Sequence, residues 1–137
     1  DKAFMENYNV DLSQVFIIER RNNTEPHFIV WDELDNQTKI KTYIHAKSVC
    51  SDFDNRPLTH QKLFARNICQ VLGKDCFHPV EKVLYWAPEV RGIVKGGTRI
   101  AVNFARKLNI PTLNILDSDI LKTKFMPRDG NLNIFDD

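Results

Sequence analysis

The stretch "VKGGTRIAVNFARKLNIPTLNI", Val94 to Ile115, decides how this chain folds. Within it Ile100, Phe104 and Leu108 recur every four residues, and Ala101 and Ala105 widen the stripe. That is the period of an amphipathic helix, with small residues that let it lie close on a sheet. Directly after it, "IPTLNIL" (110–116) reads as a strand. Upstream, Val83-Leu84-Tyr85-Trp86 is a flat apolar run closed by Pro88, which suits a buried strand. Strand 82–87, helix 98–108 and strand 111–116 therefore predict a βαβ unit, with its two strands parallel and a right-handed crossover.

In front of the helix stand Lys95, Gly96, Gly97, Thr98 and Arg99. A helix N-terminus presents unpaired N–H groups and a partial positive charge. Glycine lets the backbone approach a phosphate with no Cβ in the way. Lys95 and Arg99 repel the dipole at that end, which a bound anion would offset. The residues alone leave two readings open. Gly96 and Gly97 make an anion site, or they make a tight turn that Thr98 caps. Neither GxGxxG nor GxxxxGK[ST] occurs, so neither a dinucleotide fingerprint nor a Walker loop is supported, and no cofactor is implied.

Working outward, "HQKLFARNICQVLG" (60–73) predicts a helix burying Phe64, Ile68, Val71 and Leu72, with Thr59 as N-cap and Gly73 at its stop. "SDFDNRP" (51–57) reads as a loop, and 38–50 fits strand alternation and helix spacing equally. "SQVFIIER" (13–20) and "HFIVWDE" (27–33) are β-prone runs around the turn-forming "RNNTEP", which predicts a hairpin. Residues 2–7 and "SDILKTKF" in the tail are short helical candidates.

Composition narrows the function. The chain has 137 residues, 42% of them hydrophobic and 27% charged, and its net charge is +1 from 19 basic and 18 acidic residues. One domain over 1–116 with a tail over 117–137 is expected. The balance of charge argues against nucleic acid as a partner. No apolar run reaches the length of a membrane span, so no membrane partner is expected. Cys50, Cys69 and Cys76 are odd in number and lack a CxxC spacing, which reads as free thiols in a reducing cytoplasm and no metal site.

Taken together, residues 58–115 resemble a family of phage-encoded, Rossmann-like proteins in the SLOG superfamily, which groups DprA-like, LOG-like and YspA-like nucleotide-binding domains. The resemblance rests on Ala65-Arg66-Asn67, Gln70-Val71-Leu72-Gly73, Tyr85-Trp86-Ala87-Pro88, Gly96-Gly97-Thr98 and Ile110-Pro111 with Asn114, in order and spacing over nearly half the chain. It implies an α/β fold: a Rossmann-like three-layer sandwich with a mostly parallel sheet and a C-terminal βαβ unit. It also implies that the glycine turn and the Arg66-Asn67 pair face one nucleotide or phosphate pocket. Arg66 would fork onto phosphate and Asn67 would read base or ribose. Trp86 either stacks on a base or packs in the core. The opening "DKAF" is similar to the end of an earlier glycine loop of these proteins, with Asp1 as its aspartate. The domain would then be incomplete at its N-terminus. A homo-oligomer, or a chain supplying the rest, would be its partner.

LOG-like members resemble phosphoribohydrolases whose pattern places a glutamate three residues past the threonine and a lysine after the arginine. Here those positions hold Ala101 and Asn67. Without that carboxylate the hydrolysis lacks an operator. The expected function is therefore binding of a nucleotide or nucleotide-derived phosphate ligand at Gly96, Gly97, Thr98 and Arg99 with Arg66 and Asn67, in the cytoplasm (the host's, if phage-encoded). The alternatives are a hydrolase drawing its acid from Asp1, Glu89 or a missing upstream segment, and a structural or virion protein that kept the fold without the activity.

Overall fold

The computed structural model describes residues 13–117. The expected helices at 2–7 and in "SDILKTKF", the tail and Asp1 lie outside the described residues. The chain mixes helices with short strands in small sheets, two of them parallel. Its elements are β1 (Phe16–Ile17), β2 (Ile29–Val30), α1 (Asn36–Ser48), α2 (Leu58–Leu72), β3 (Val83–Tyr85), β4 (Glu89–Val90), β5 (Ile93–Val94), α3 (Arg99–Lys107) and β6 (Thr112–Asn114). Three 3-10 turns interleave them, at Trp31–Glu33, Phe53–Asn55 and Ile115–Asp117.

The βαβ unit is present. β3 and β6 pair in parallel, with Val83 opposite Thr112, Leu84 opposite Leu113 and Tyr85 opposite Asn114, and α3 connects them. Between β3 and α3 the chain inserts a hairpin that sequence reading missed. β4 and β5 pair antiparallel around Arg91 and Gly92, whose φ values are +53° and +79°. Two successive positive φ values are what a two-residue type I′ loop requires, and a glycine in its second place makes that conformation accessible.

The expected hairpin at 13–33 is corrected: β1 and β2 run parallel, with Phe16 opposite Ile29 and Ile17 opposite Val30. The segment 18–28 is long enough to carry the chain back to the start of a parallel strand, which a tight loop is not. Arg20 closes that excursion with a fork onto Glu33, at 2.7 and 3.0 Å.

The ambiguous stretch at 38–50 is helical within α1. Asp35 caps the helix, accepting from the Thr38 amide at 2.8 Å. Its buried face is Thr38, Thr42 and Ala46, while Ile40 and Ile44 face outward at 57% and 60% exposure. A hydrogen bond decides that orientation: the buried Trp31 Nε1 donates to Thr42 Oγ1 at 3.0 Å. Leaving an indole N–H buried without a partner costs about 1–3 kcal/mol, comparable with the gain from turning one isoleucine inward.

α2 is the centre of the molecule. Phe64, Ala65, Ile68, Cys69, Val71 and Leu72 are all buried on it, packing against α1, α3 and β1. Gly73 ends it as expected, donating to the Cys69 carbonyl at 2.8 Å. Thr59 does not cap it. The helix begins at Leu58 behind Pro57, whose ring holds φ near the helical value, so Thr59 is already inside the first turn. On α3, Ile100, Ala101, Phe104 and Ala105 are buried as the stripe predicts, but the helix stops at Lys107 and Leu108 is 42% exposed. No described helix is long and apolar enough to cross a membrane.

Candidate functional site

β5 delivers the chain to the front of α3. Lys95 donates its amide to the Pro88 carbonyl at 3.0 Å, which seats the turn on the start of the hairpin. Gly96 has φ +82°, a left-handed conformation that favours glycine. Gly97 needs no such freedom, and a Cβ there would meet only Leu63 Cδ2, at an ordinary 3.7 Å. The Gly97 carbonyl points at α2, where Asn67 Nδ2 donates to it at 2.9 Å.

That link shapes the helix front. Arg99 donates its amide to the Gly96 carbonyl and Val102 to the Thr98 carbonyl, each at 3.3 Å. The amides of Ile100 and Ala101 have no backbone acceptor among the described residues. Thr98 is not a side-chain cap. Its φ and ψ of −63° and −23° are already helical, whereas a capping side chain needs an extended backbone to reach back to the first-turn amides.

Arg99 lies at the first position of α3, with its guanidinium 5.7 Å from the centre of the Phe64 ring. Arg56 approaches the same ring at 5.5 Å. Arg56 is paired with Asp52 at 3.0 Å, and Asp52 also accepts from the Cys50 thiol at 3.1 Å. Those two donors, the thiol first, hold the Asp52 carboxyl below its ordinary value. Arg99 has no acidic partner among the described residues. The site thus combines glycine backbone, two amides and a guanidinium that have no acceptor or acidic partner among the described residues, the guanidinium standing against a helix dipole of the same sign. Groups of this kind are chemically able to hold an anion by charge-assisted hydrogen bonds.

The other expected site residues are placed differently. Arg66 and Asn67 are neighbours in sequence but project about 100° apart around a helix. Asn67 meets the glycine turn, whereas Arg66 Nη1 donates to the Phe16 carbonyl on β1 at 3.2 Å and its Nε is buried without a partner. Burial pushes that guanidinium below its ordinary value. The structure therefore does not bring Arg66 and Asn67 to one pocket. Trp86 is buried, the core-packing alternative of its two readings. Asp1 lies outside the described residues. Asn114 serves the backbone, donating to the Ala87 carbonyl at 2.7 Å and accepting from the Leu116 amide at 3.1 Å.

Glu89, the expected alternative acid, sits beyond the carboxyl ends of β3 and β6. It accepts from Arg106 at 2.8 Å, Tyr85 Oη at 3.2 Å and Asn114 at 3.4 Å. Arg106 also donates to the Gly92 carbonyl at 2.9 Å, clamping the hairpin against α3. Arg106 above all, then Asn114 and Tyr85, holds the Glu89 carboxyl below its usual range. A carboxylate so stabilised is a poor proton acceptor at neutral pH.

Sequence reading missed Arg56 and Phe64 as members of the site. Nothing near Arg56 distinguishes it from a loop cation, and Phe64 carries the signal of a core residue. Among the described residues no three His, Cys, Asp or Glu side chains gather to hold a metal ion. The chain matches no family model, no curated protein and no solved structure.

Proposed function

We propose that this chain binds a phosphate-bearing ligand of the nucleotide class at the front of α3. The ligand's phosphate would lie against the amides that follow Gly97, and Arg99 would supply the guanidinium. The observation that carries this reading is Arg99 itself, a cation at the positive end of a helix with no acidic partner among the described residues. Without an anion that arrangement costs electrostatic energy, and with one it gains it. Gly97 supports the reading, because neither its backbone nor its packing demands glycine, while close approach of a phosphate does. The nucleotide class follows from the resemblance of residues 58–115 to SLOG-type domains. On the same basis the βαβ unit belongs to a Rossmann-like three-layer sandwich.

The reading is of a binder rather than a hydrolase. Ala101 stands where the hydrolases carry glutamate, and three donors already engage Glu89. Titration calorimetry with inorganic phosphate and with nucleoside monophosphates tests it. Binding that falls about tenfold or more in Arg99→Gln, with an unchanged circular dichroism spectrum, is expected from the loss of a charged hydrogen bond. Equal binding by parent and variant overturns the assignment. Release of free base from the monophosphates would restore the hydrolase.

A further inference from the structure

The turn of α2 that sends Asn67 to the glycine loop sends Arg66 the other way, toward β1. On that side lies a cavity of about 620 Å³ that the anion site does not use. Phe16 of β1 and Cys69 of α2, both buried in one core cluster, form its floor. Gly73, at φ +79°, turns the chain out of α2. His78 then donates its amide to the Leu72 carbonyl and Val80 to the Val71 carbonyl, both at 2.9 Å, which fixes both residues in the wall. Gln14, Gln70 and His78 line the cavity as exposed side chains, so it opens to solvent at a rim of amide and imidazole groups. Sites for small organic molecules have about this volume, roughly 300–1,000 Å³, and the same mixture of apolar lining with a few polar groups.

Charge around the cavity is one-sided. None of the side chains lining it is acidic. Asp75, beside His78, is already engaged: it accepts from the Phe77 amide at 3.0 Å and bonds His78 Nδ1 at 2.9 Å. Arg66 precedes Cys69 by three residues and Gln70 by four, which puts all three on one side of α2. Arg66 does not line the cavity itself. Its Nη1 donates at 3.2 Å to the carbonyl of Phe16, which does. Its Nε is buried without a hydrogen-bond partner, and no carboxylate pairs with it among the described residues. In so poorly solvated a wall a charge acts more strongly than it does in water. A buried cation without a counter-charge is costly, and an anion across the wall offsets that cost.

From this cavity and the guanidinium behind its floor we infer that the chain binds a second ligand here, a small organic carboxylate with an apolar body. The body lies on Phe16, Cys69 and Val80. The carboxylate accepts from the amides of Gln14 and Gln70 and is held by the field of Arg66. A phosphate is held by guanidinium or ammonium groups in direct contact, and the lining carries neither. One cation behind the wall and neutral donors in front of it suit a single negative charge.

The test is titration of the isotope-labelled whole chain with benzoate and with benzamide, its neutral counterpart of the same shape, followed by amide chemical shifts. Benzoate should saturate, with shifts at Phe16, Cys69, Gln70 and Gly73. It should bind about tenfold or more tighter than benzamide, the scale of one charge interaction outside bulk water. Arg66→Met keeps the length and removes the charge, and should bring benzoate down to the level of benzamide. Gln70→Glu reads the same field from an exposed position, should the methionine not be tolerated: benzoate binding should weaken and benzamide binding stay as it was. Binding of benzoate that never saturates, equal affinity for the two compounds, or benzoate affinity unmoved in Gln70→Glu would each overturn the inference. So would shifts centred on Gly97 and Arg99, an outcome that leaves the anion site at α3 standing.

Discussion

Asn67, buried on α2, donates its side-chain amide to the Gly97 carbonyl at 2.9 Å, and so ties the central helix to the turn in front of α3. The carbonyl that would otherwise receive the Ala101 amide is turned to α2. In Asn67→Ala both the bond and the buried volume are lost, and stability should drop by about 1–3 kcal/mol. Urea unfolding reads the drop, and phosphate binding should weaken with it. A variant with unchanged midpoint and unchanged binding would show that the turn holds itself.

The two glycines should separate when each becomes alanine. Gly96→Ala places a Cβ in a left-handed backbone and should cost about 1–2 kcal/mol. Gly97→Ala meets only Leu63 at an ordinary distance and should leave the thermal midpoint nearly unchanged, yet weaken phosphate binding. Full binding by a stable Gly97→Ala protein would remove the argument for close phosphate approach there.

Thr42→Val keeps the side chain's shape and removes the acceptor for Trp31 Nε1. An indole N–H buried without a partner should cost about 1–3 kcal/mol. Guanidinium unfolding followed by tryptophan fluorescence measures it. A neutral result would mean that the helix rolls and the outward Ile40–Ile44 face turns in.

Glu89 makes stability depend on pH. Its carboxyl lies below the ordinary 4.5 when folded, chiefly through Arg106. Between the folded value and 4.5 the unfolded chain binds more protons, so stability rises with pH there. Its contribution is complete above 4.5 and is lost as pH falls through the lower folded value. Glu89→Gln should therefore flatten the acid limb of a plot of urea midpoint against pH. The flattening is partial, because Asp52 and Asp75 are lowered in the same way. An acid limb identical to the parent's would exclude Glu89 from the linkage.

Much of the fold is legible in local patterns. The apolar stripes of α2 and α3 and the stop at Gly73 depend on spacing and backbone preference, which travel with the residues. The β4–β5 hairpin was not legible, because Glu89-Val90 and Ile93-Val94 are too short to show an alternating pattern and Glu89 disfavours a strand. The direction of β1 against β2 was not legible, because an apolar run carries no sign of which way its partner runs. Nor was the face of α1, because the Trp31–Thr42 hydrogen bond that orients it joins residues of two different elements.

The site divides the same way. Sequence alone determined that glycines precede a helix and that cations flank it, because those are facts of order along the chain. Which cation stands at the helix front was decided by tertiary structure. Packing of α2 between β1 and α3 sends Arg66 to Phe16 and Asn67 to Gly97, and it sets Phe64 beneath Arg99 and Arg56. The physical reason is the turn of the helix, which separates adjacent side chains by about 100° and hands each to a different neighbour.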